Sequence, residues 1–383
     1  MKKRIVSIFL GVLIAICVLL PVKDVLAVSK TDKLCERAHI VADFNSGTVI
    51  SSKNENDRLP IASMVKITTL SLIFDAIEDG RISLSDDVTV SEYAFSMGGS
   101  QAFLDNGATY SVEELVKSVI VASANDSCVA LAEHLEGDVS SFVNKMNEKA
   151  VELGMNNTKY ENCTGLPSSN AYSCASDVMK ITRYLMKHKK FFEYSKIWMY
   201  DLTHPSGRVT GLTNTNKLIR SFNGMDGGKT GFTDEALSCL SARATRGDTS
   251  LICVVIGAPS GKERNARVSS LLNEGFSNYA SQKIVERSQE CETSFEIKNG
   301  KETNVVGIYA DDLKTFGKKN EHKNLQKRVE IIKDTAPICK NELIAREIFI
   351  DETGNEYSVD VLAKFDVKVK NFKDFVDNFM KNW

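Results

Sequence analysis

The sequence lacks a strong excess of either charge. Its 383 residues include 48 basic and 50 acidic side chains, for a formal net charge of -2. Proteins whose main partner is a nucleic acid usually carry a basic face, because their binding depends on neutralising phosphates. The charge balance therefore argues against nucleic acid as a partner. The length favours two domains, and the 43% hydrophobic content is that of an ordinary globular protein.

Metal-ligand patterns are also missing from the sequence. No two cysteines form a CxxC pair, and the histidines are scattered without zinc-ligand spacing. The histidines are His39, His134, His188, His204 and His322. We therefore predict no metal and no other cofactor. Cys163 and Cys174 are the first pair to examine for a disulfide, whereas Cys253 lies in an apolar run and is predicted to be a buried hydrophobic residue.

The beginning of the chain has the pattern of an export signal. Basic residues at positions 2–4 precede an apolar run over 5–20, and small or branched residues follow at 25–27. We predict a signal peptide over residues 1–27, with cleavage after Ala27, and therefore an exported protein. The alternative is an uncleaved membrane anchor, although the apolar run is shorter than the ~20 residues of a spanning helix.

Helical patterns dominate the first half of the chain. Pro60 precedes apolar residues at helical spacing that end at Gly80, so we predict a long helix directly after Pro60. Ser111 and Glu114 have the spacing of a capping box, and the helix that they begin is predicted to end near Ser123. Two more helices are predicted around 127–135 and 139–153.

Strand patterns occupy three other regions. Residues 39–51 read as a hairpin, and the runs 236–244 and 250–256 read as two strands joined by a tight turn. From about Cys291 the sequence becomes rich in strand patterns again, with turn signals between alternating runs. Hairpin-linked strands pair antiparallel, so the fold class is predicted as α+β, with helices beside an antiparallel sheet and a small all-β domain at the end.

The last residues form one amphipathic pattern. Phe372, Phe375, Phe379 and Trp383 share one helical face, and charged residues lie opposite. A terminal amphipathic helix over 370–383 is therefore predicted. Two roles remain open: the helix packs against the β domain, or it lies in a membrane interface.

One pair of residues suggests nucleophilic catalysis. Ser63 and Lys66 lie three residues apart at the start of the first predicted long helix, so their side chains project from one face. A serine hydroxyl needs a base to become a good nucleophile, and a lysine amine can act as that base when burial lowers its pKa. Alone the pattern is weak, because most such pairs are solvated helix surface.

Two further motifs make the pair more specific. Ser123 and Asn125 stand at the junction between two predicted helices, where a hydroxyl and a carboxamide can face a cleft. Lys229, Thr230 and Gly231 follow two other glycines and offer a cation, a hydroxyl and a close backbone approach for a carboxylate ligand. The simple alternatives are a helix cap for the first motif and a basic turn for the second.

Together these motifs resemble the signature S-x-x-K, S-x-N and K-T-G of the low-molecular-mass penicillin-binding proteins, the serine D-Ala-D-Ala carboxypeptidases. The resemblance covers roughly residues 38–276. It implies a penicillin-binding/β-lactamase-like transpeptidase fold, with a catalytic domain over 34–280, a β domain over 290–368 and the terminal helix. It also implies action outside the cytoplasm, at the membrane face or in the cell wall.

The resemblance assigns roles to the first two motifs. Ser63 would attack the carbonyl between the terminal D-alanines of a peptidoglycan stem peptide, and Lys66 would accept the serine proton. Ser123 would pass a proton toward the leaving amine, and Asn125 would hold the substrate amide. β-Lactam antibiotics would acylate the same serine.

The third motif would bind the end of the substrate. Lys229, Thr230 and Gly231 would hold its terminal carboxylate. The backbone N–H groups of Ser63 and Phe232 would form the oxyanion hole, so the identity of the second side chain matters little.

Two rival functions share these motifs. A class A β-lactamase would add a glutamate that activates the deacylating water, and the stretch around Glu161 does not fit that pattern. A catalytically silent peptidoglycan-binding protein would keep the fold without the reaction. Arg264 is a further candidate for carboxylate binding, although it lies outside the three motifs.

Overall fold

The computed structural model describes residues 36–319, 321, 324–352, 354 and 356–372. The predicted signal peptide and nearly all of the predicted terminal helix lie outside the described residues. Within these ranges, no helix combines the length and the apolar composition that crossing a membrane requires.

Nine helices and sixteen strands are assigned within the described residues. The helices are α1 (Lys66–Glu78), α2 (Glu92–Phe95), α3 (Val112–Ala122), α4 (Asn125–Glu136), α5 (Val139–Glu152), α6 (Ala175–Leu185), α7 (Lys189–Tyr194), α8 (Leu218–Ser221) and α9 (Gly261–Asn278). The strands are β1 (Ala38–Asp43), β2 (Val49–Lys53), β3 (Asp87–Thr89), β4 (Thr109–Ser111), β5 (Met199–Thr203), β6 (Val209–Thr213), β7 (Met225–Thr233), β8 (Leu237–Arg246), β9 (Thr249–Ala258), β10 (Tyr279–Val285), β11 (Glu290–Glu296), β12 (Asn304–Tyr309), β13 (Leu313–Lys318), β14 (Gln326–Ile331), β15 (Leu343–Ile350) and β16 (Glu356–Ala363).

A five-stranded antiparallel sheet forms the centre of the chain up to α9, in the order β2-β1-β9-β8-β7. Every residue of β9 is buried, because α9 covers one face of the sheet and α6 covers the other. Most of the remaining helices lie on the α6 side, with the largely buried α1 among them, whereas α8 packs against β7. This arrangement confirms the predicted combination of helices with an antiparallel sheet.

The first long helix begins later than the sequence pattern predicts. A 3₁₀ turn over Ala62–Val65 comes first, and α1 begins only at Lys66. Ala62 has φ +47°, which no α-helix accommodates. Gly231 packs so closely that a Cβ on it would lie 2.6 Å from the Ile61 carbonyl oxygen. The prediction of a helix directly after Pro60 was therefore wrong, and the difference places Ser63 on a tight turn.

The junction between α3 and α4 follows the sequence prediction closely. The capping box is present, because the Ser111 side chain accepts from the Glu114 N–H and the Glu114 carboxylate accepts from the Ser111 N–H. The helix ends at Ser123, which adopts a left-handed conformation with φ 64° and ψ 30°. This conformation turns the chain sharply, and α4 begins two residues later.

The segment with Lys229, Thr230 and Gly231 lies inside a strand, so the simple alternative of a basic turn is wrong. These residues occupy the middle of β7, the edge strand of the central sheet. The preceding glycines conceal the strand in the sequence. At Gly228 the φ angle is 149°, and a Cβ would lie 2.1 Å from the Ser241 carbonyl oxygen, so only glycine fits beside β8.

A second five-stranded antiparallel sheet follows, in the order β11-β12-β16-β15-β14. It has its own apolar core, which includes Phe295, Val305 and Val361. A separate pair, β10 with β13, lies beside the first sheet, and Phe316 of β13 packs into the core under α9. The all-β fold predicted for this part of the chain is confirmed.

The cysteines of the described residues are free thiols. Cys163 and Cys174 form no disulfide with each other, so the candidate bridge is absent. Cys163 instead lies beside Cys128, whose thiol donates to the Cys163 carbonyl oxygen at 3.1 Å. Cys253 is fully buried within β9, as predicted.

Candidate active site

The turn over Ala62–Val65 brings the side chains of Ser63 and Lys66 together. The Lys66 Nζ atom lies 3.3 Å from the Ser63 Oγ atom. Ser63 is half-buried, whereas Lys66 is completely buried at the first position of α1. The pair therefore has the contact expected of a nucleophile and a base.

The other partners of Lys66 decide where its lone pair points. The amine donates to the Asn125 Oδ1 atom at 2.6 Å and to the Thr164 carbonyl oxygen at 2.5 Å. Both oxygens can only accept hydrogen bonds. A neutral amine has two N–H groups, so these acceptors use both and leave the nitrogen lone pair for the Ser63 hydroxyl proton. The geometry thus suits proton transfer from Ser63 to Lys66.

Burial also changes the charge preference of this lysine. Loss of hydration lowers the pKa of Lys66, and the nearby Cys128, Cys163 and Asp126 only partly oppose this effect. No carboxylate is paired with its amine among the described residues, as its hydrogen bonds go to neutral groups. Burial therefore makes the neutral amine, the form that can act as a base, easier to reach than in a solvated lysine.

A second serine and lysine meet on the other side of the site. The Lys229 Nζ atom donates to the Ser123 Oγ atom at 2.8 Å and to the Thr230 carbonyl oxygen at 3.1 Å. Ser123 and Lys229 are both almost completely buried. The contact joins the α3–α4 junction to the edge strand β7, so it exists only because the helical part packs against the sheet.

Two other basic residues lie near enough to Lys229 to affect its charge. Burial holds the pKa of Lys229 well below its usual value, and the charges of Lys66 and Arg264 lower it further. Arg264 projects from α9, is nearly buried, and donates to the Cys239 carbonyl oxygen on β8 at 3.4 Å. No carboxylate is hydrogen-bonded to the Lys229 amine among the described residues, so a bound carboxylate would favour its charged form.

Asn125 is held by a loop of the helical part. Its Nδ2 atom donates to the Gly98 carbonyl oxygen at 2.7 Å, and its backbone N–H donates to the Ser100 carbonyl oxygen at 2.7 Å. A Cβ on Gly99 would lie 2.9 Å from the Asn125 Nδ2 atom. These contacts fix the side chain with its oxygen toward Lys66.

The strand β7 supplies the last part of the site. The Thr230 hydroxyl donates to the Thr215 hydroxyl at 2.7 Å. Gly231 lies against the Ser63 turn, where a Cβ would come within 3.2 Å of the Met64 nitrogen. Phe232 follows with a side chain that is 61% exposed, so its ring faces solvent while its backbone continues the strand.

Several contacts of the site carry no signal in the sequence. The Thr164 and Gly98 carbonyl oxygens orient Lys66 and Asn125, but every residue has a carbonyl group and nothing marks these two. Thr215 touches Thr230 although it stands outside the three motifs. Each of these residues reaches the site through packing between segments that are distant in the sequence.

The comparisons with known proteins agree with this geometry. Residues 26–260 match the family described as D-alanyl-D-alanine carboxypeptidase, and residues 279–369 match the family described as penicillin-binding protein 5, C-terminal domain. The D-alanyl-D-alanine carboxypeptidase DacF of Bacillus subtilis is 37% identical over 358 residues, which cover 92% of either chain. The D-alanyl-D-alanine carboxypeptidase DacA of Haemophilus influenzae is 30% identical and covers 83% of this chain and 81% of its own.

A solved structure supports the same relationship. Penicillin binding protein 5 from Haemophilus influenzae superimposes with a TM-score of 0.69 and 29% sequence identity, over 88% of this chain and 98% of that one. The superposition includes both the catalytic part and the all-β part. The resemblance predicted from the three motifs is thereby confirmed, and the chain belongs to the D-alanyl-D-alanine carboxypeptidase family of serine hydrolases.

Proposed function

We propose that this protein removes the terminal D-alanine from peptidoglycan stem peptides through an acyl-enzyme on Ser63. The contact of Ser63 with the buried amine of Lys66 carries this proposal, because it pairs a hydroxyl with a base whose lone pair is directed at it. In the acylation step the Ser63 proton moves to Lys66 while the Ser63 Oγ atom bonds to the substrate carbonyl carbon. We assign stabilisation of the resulting oxyanion to the N–H groups of Ser63 and Phe232.

The second serine and lysine fit the departure of D-alanine. Ser123 accepts a hydrogen bond from Lys229, so its own proton is free to be donated into the cleft. We assign Ser123 the transfer of a proton to the leaving amine. Asn125 is assigned to the substrate amide, since its position is fixed by the Gly98 and Ser100 carbonyl oxygens.

The terminal carboxylate of the substrate is assigned to Lys229, Thr230 and Gly231, with Arg264 as an additional cation. A bound carboxylate would raise the pKa of Lys229, because an opposite charge nearby favours the charged amine. Substrate binding would therefore protonate the group that holds it. An uncharged C-terminus would not supply this interaction, which accounts for a preference for a free terminal carboxylate.

The surroundings of Glu161 support a carboxypeptidase over a β-lactamase. Its carboxylate accepts hydrogen bonds from the Ser168 hydroxyl and from the Asn170 N–H, and it pairs with Lys159. All three partners belong to the same loop. The Glu161 carboxylate thus already has three partners and contacts neither Ser63 nor Lys66 through a hydrogen bond, so it is poorly suited to activate a deacylating water.

A comparison of two substrates tests the proposed reaction. The mature protein is incubated first with a fluorescent penicillin and then with a peptide that ends in D-Ala-D-Ala. We expect a long-lived fluorescent adduct and release of free D-alanine. Rapid turnover of penicillin without D-alanine release would instead identify a β-lactamase, and a protein with neither property would be catalytically silent.

The loop around Gly165 is predicted to control the shape of the nucleophile turn. Gly165 has φ +80°, and a Cβ on it would lie 2.1 Å from the Ala62 carbonyl oxygen and 2.9 Å from the Ser63 nitrogen. Gly165→Ala must therefore displace the Ser63 turn in addition to straining its own backbone, which alone costs roughly 1–2 kcal/mol. We expect the rate of penicillin acylation to fall at least ~10-fold, because a nucleophile moved from its productive position reacts more slowly.

Gly154 provides the matched control for this substitution. It also has a left-handed backbone, with φ +64°, but a Cβ on it would meet no atom within 4 Å. Gly154→Ala should lose comparable backbone stability in urea unfolding and keep its acylation rate. Equal acylation rates in the two variants would contradict the role assigned to Gly165.

We further propose that the protein is exported and divided into a catalytic domain over 34–280 and a β domain over 290–368. The pattern over 370–383 supports contact of the terminal helix with the outer face of the membrane, because aromatic residues on one face favour an interface. The mature protein is expected to pellet with anionic liposomes, and a version ending at Lys370 is expected to remain in solution. Equal pelleting would show that the terminal residues are not an anchor.

A further inference from the structure

A second chain of serine, histidine and carboxylate lies at the opposite edge of the central sheet. The His39 Nε2 atom is 3.2 Å from the Ser51 Oγ atom, and the His39 Nδ1 atom is 2.8 Å from the Glu36 Oε1 atom. His39 lies on β1, Ser51 lies on the edge strand β2, and Glu36 precedes β1. None of the three takes part in the site around Ser63.

The surroundings of His39 favour its neutral form. Burial lowers the pKa of His39, and the charges of Arg267 and Lys53 oppose the raising effect of Glu36. In a neutral imidazole one nitrogen donates and the other accepts. The ionised Glu36 carboxylate can only accept, so the Nδ1–H group faces Glu36 and the Nε2 lone pair faces the Ser51 hydroxyl.

Glu36 is itself held in the ionised form. Burial raises the pKa of Glu36, but hydrogen bonds from its own backbone and from His39, together with the charge of Arg267, outweigh this effect and keep the pKa below its usual value. The Arg267 Nε atom, on α9, lies 3.1 Å from the Glu36 Oε1 atom. The carboxylate therefore orients the imidazole and can stabilise its cation.

Ser51 opens onto a cavity, whereas His39 and Glu36 lie behind it in the protein. The cavity has a volume of about 420 Å³, and Ser51, Leu271, Gly275 and Tyr279 form part of its wall. This size falls in the range of small-molecule sites. The charged residues of the wall balance, because it includes the two lysines Lys318 and Lys319 and the two glutamates Glu274 and Glu321. A small uncharged ligand with an apolar group suits such a wall.

We propose that Ser51 is a second nucleophile that forms an acyl-enzyme with small neutral esters. The Ser51 proton passes to the His39 Nε2 atom as the Oγ atom bonds to the acyl carbon. The ester C–O bond then breaks, and the alcohol leaves with the proton from His39. In the second half of the reaction, His39 takes a proton from water as the water oxygen bonds to the acyl carbon. The bond to the Ser51 Oγ atom then breaks, the carboxylic acid leaves, and His39 returns the proton to Ser51. The oxyanion is assigned to backbone N–H groups on the outer side of β2, which is an edge strand of the sheet.

The test uses the full-length protein with Ser63→Ala, which removes the principal nucleophile. Hydrolysis of p-nitrophenyl acetate is followed, and the acetylated residue is identified by peptide mass spectrometry. We expect hydrolysis to persist in this background with acetyl on Ser51. Adding Ser51→Ala or His39→Gln should reduce the rate about 10²- to 10⁴-fold, the range for a positioned acid-base group.

Ser52→Ala in the same background is the matched control. Ser52 is the neighbouring and more exposed serine of β2, so general acetylation of accessible hydroxyls would favour it over Ser51. The rate should be unchanged in this variant. Equal rates with and without Ser51→Ala, or acetyl found on residues other than Ser51, would overturn the proposal and leave the three residues as a structural link between the hairpin and α9. Unchanged urea unfolding of the Ser51→Ala variant excludes misfolding as the cause of a lost rate.

Discussion

Replacing Ser63 by alanine is expected to abolish both penicillin labelling and D-alanine release. The substitution removes only the oxygen that forms the covalent bond. Alanine is otherwise the same size as serine, so the turn around position 63 should keep its conformation. Lys66 keeps two of its three partners, the Asn125 Oδ1 atom and the Thr164 carbonyl oxygen. Folding should therefore persist while the reaction is lost. Fluorescent penicillin on a denaturing gel and an assay of free D-alanine measure the two losses.

Ser96→Ala is the control for this experiment. Ser96 is exposed at the end of α2, and its hydroxyl donates only to the Tyr93 carbonyl oxygen one turn earlier. Labelling and D-alanine release should both remain normal in this variant. Persistent labelling of the Ser63→Ala protein under the same conditions would mean that another residue is the nucleophile for penicillin.

Replacing Lys66 by methionine is expected to slow acylation by about 10²- to 10⁴-fold. Methionine fills most of the space of the lysine stem, but it has no amine to accept the Ser63 proton. The exposed Lys145, which pairs with Glu148 on α5, provides the control substitution Lys145→Met. A near-normal rate in the Lys66 variant would remove its assignment as the base.

The pH dependence of the acylation rate distinguishes loss of the base from distortion of the active site. The pKa of Lys66 is lowered by burial, so the neutral amine becomes populated at a pH below the value of ~10.4 for a free lysine. The wild-type acylation rate should therefore rise with pH through the folded pKa of Lys66. The Lys66→Met variant should lack this rise. Stopped-flow acylation by penicillin across a pH series gives both profiles.

The same pKa shift affects stability. Because the folded pKa of Lys66 lies below the unfolded one, the unfolded chain binds more protons between the two values, and the free energy of unfolding rises with pH in that window. Lys229 contributes in the same direction, since its pKa is also lowered by burial. Urea unfolding across this pH window gives the pH dependence of the free energy of unfolding for the wild type and for Lys66→Met. The difference between the two dependences is the contribution of Lys66.

The sequence predicted the local parts of the site better than the regular structure around them. The Ser111–Glu114 capping box and the end of α3 at Ser123 were predictable, because side-chain capping depends on residues a few positions apart. The strand that carries Lys229 was not, because its glycines suggest a turn. Only the close approach of β7 to β8 explains why glycine stands inside that strand.

The beginning of α1 illustrates the same limit. A helical pattern follows Pro60, but the positive φ of Ala62 arises where Gly165 and Gly231 press against the turn, and these glycines are far away in the sequence. Hydrophobic spacing reports which face of a segment is buried. It does not report which distant backbone reaches that face.

The sequence by itself determined that Ser63 and Lys66 can meet, because a spacing of three positions places two side chains on the same face of a helical turn. It also determined the family, through three motifs in a fixed order. The tertiary structure decided what the pair can do. Burial lowers the pKa of Lys66, and two acceptors from distant segments direct its lone pair at the Ser63 hydroxyl. The hydration of Lys66 and the direction of its hydrogen bonds both depend on how segments far apart in the chain pack together. The sequence around Lys66 therefore cannot encode either property.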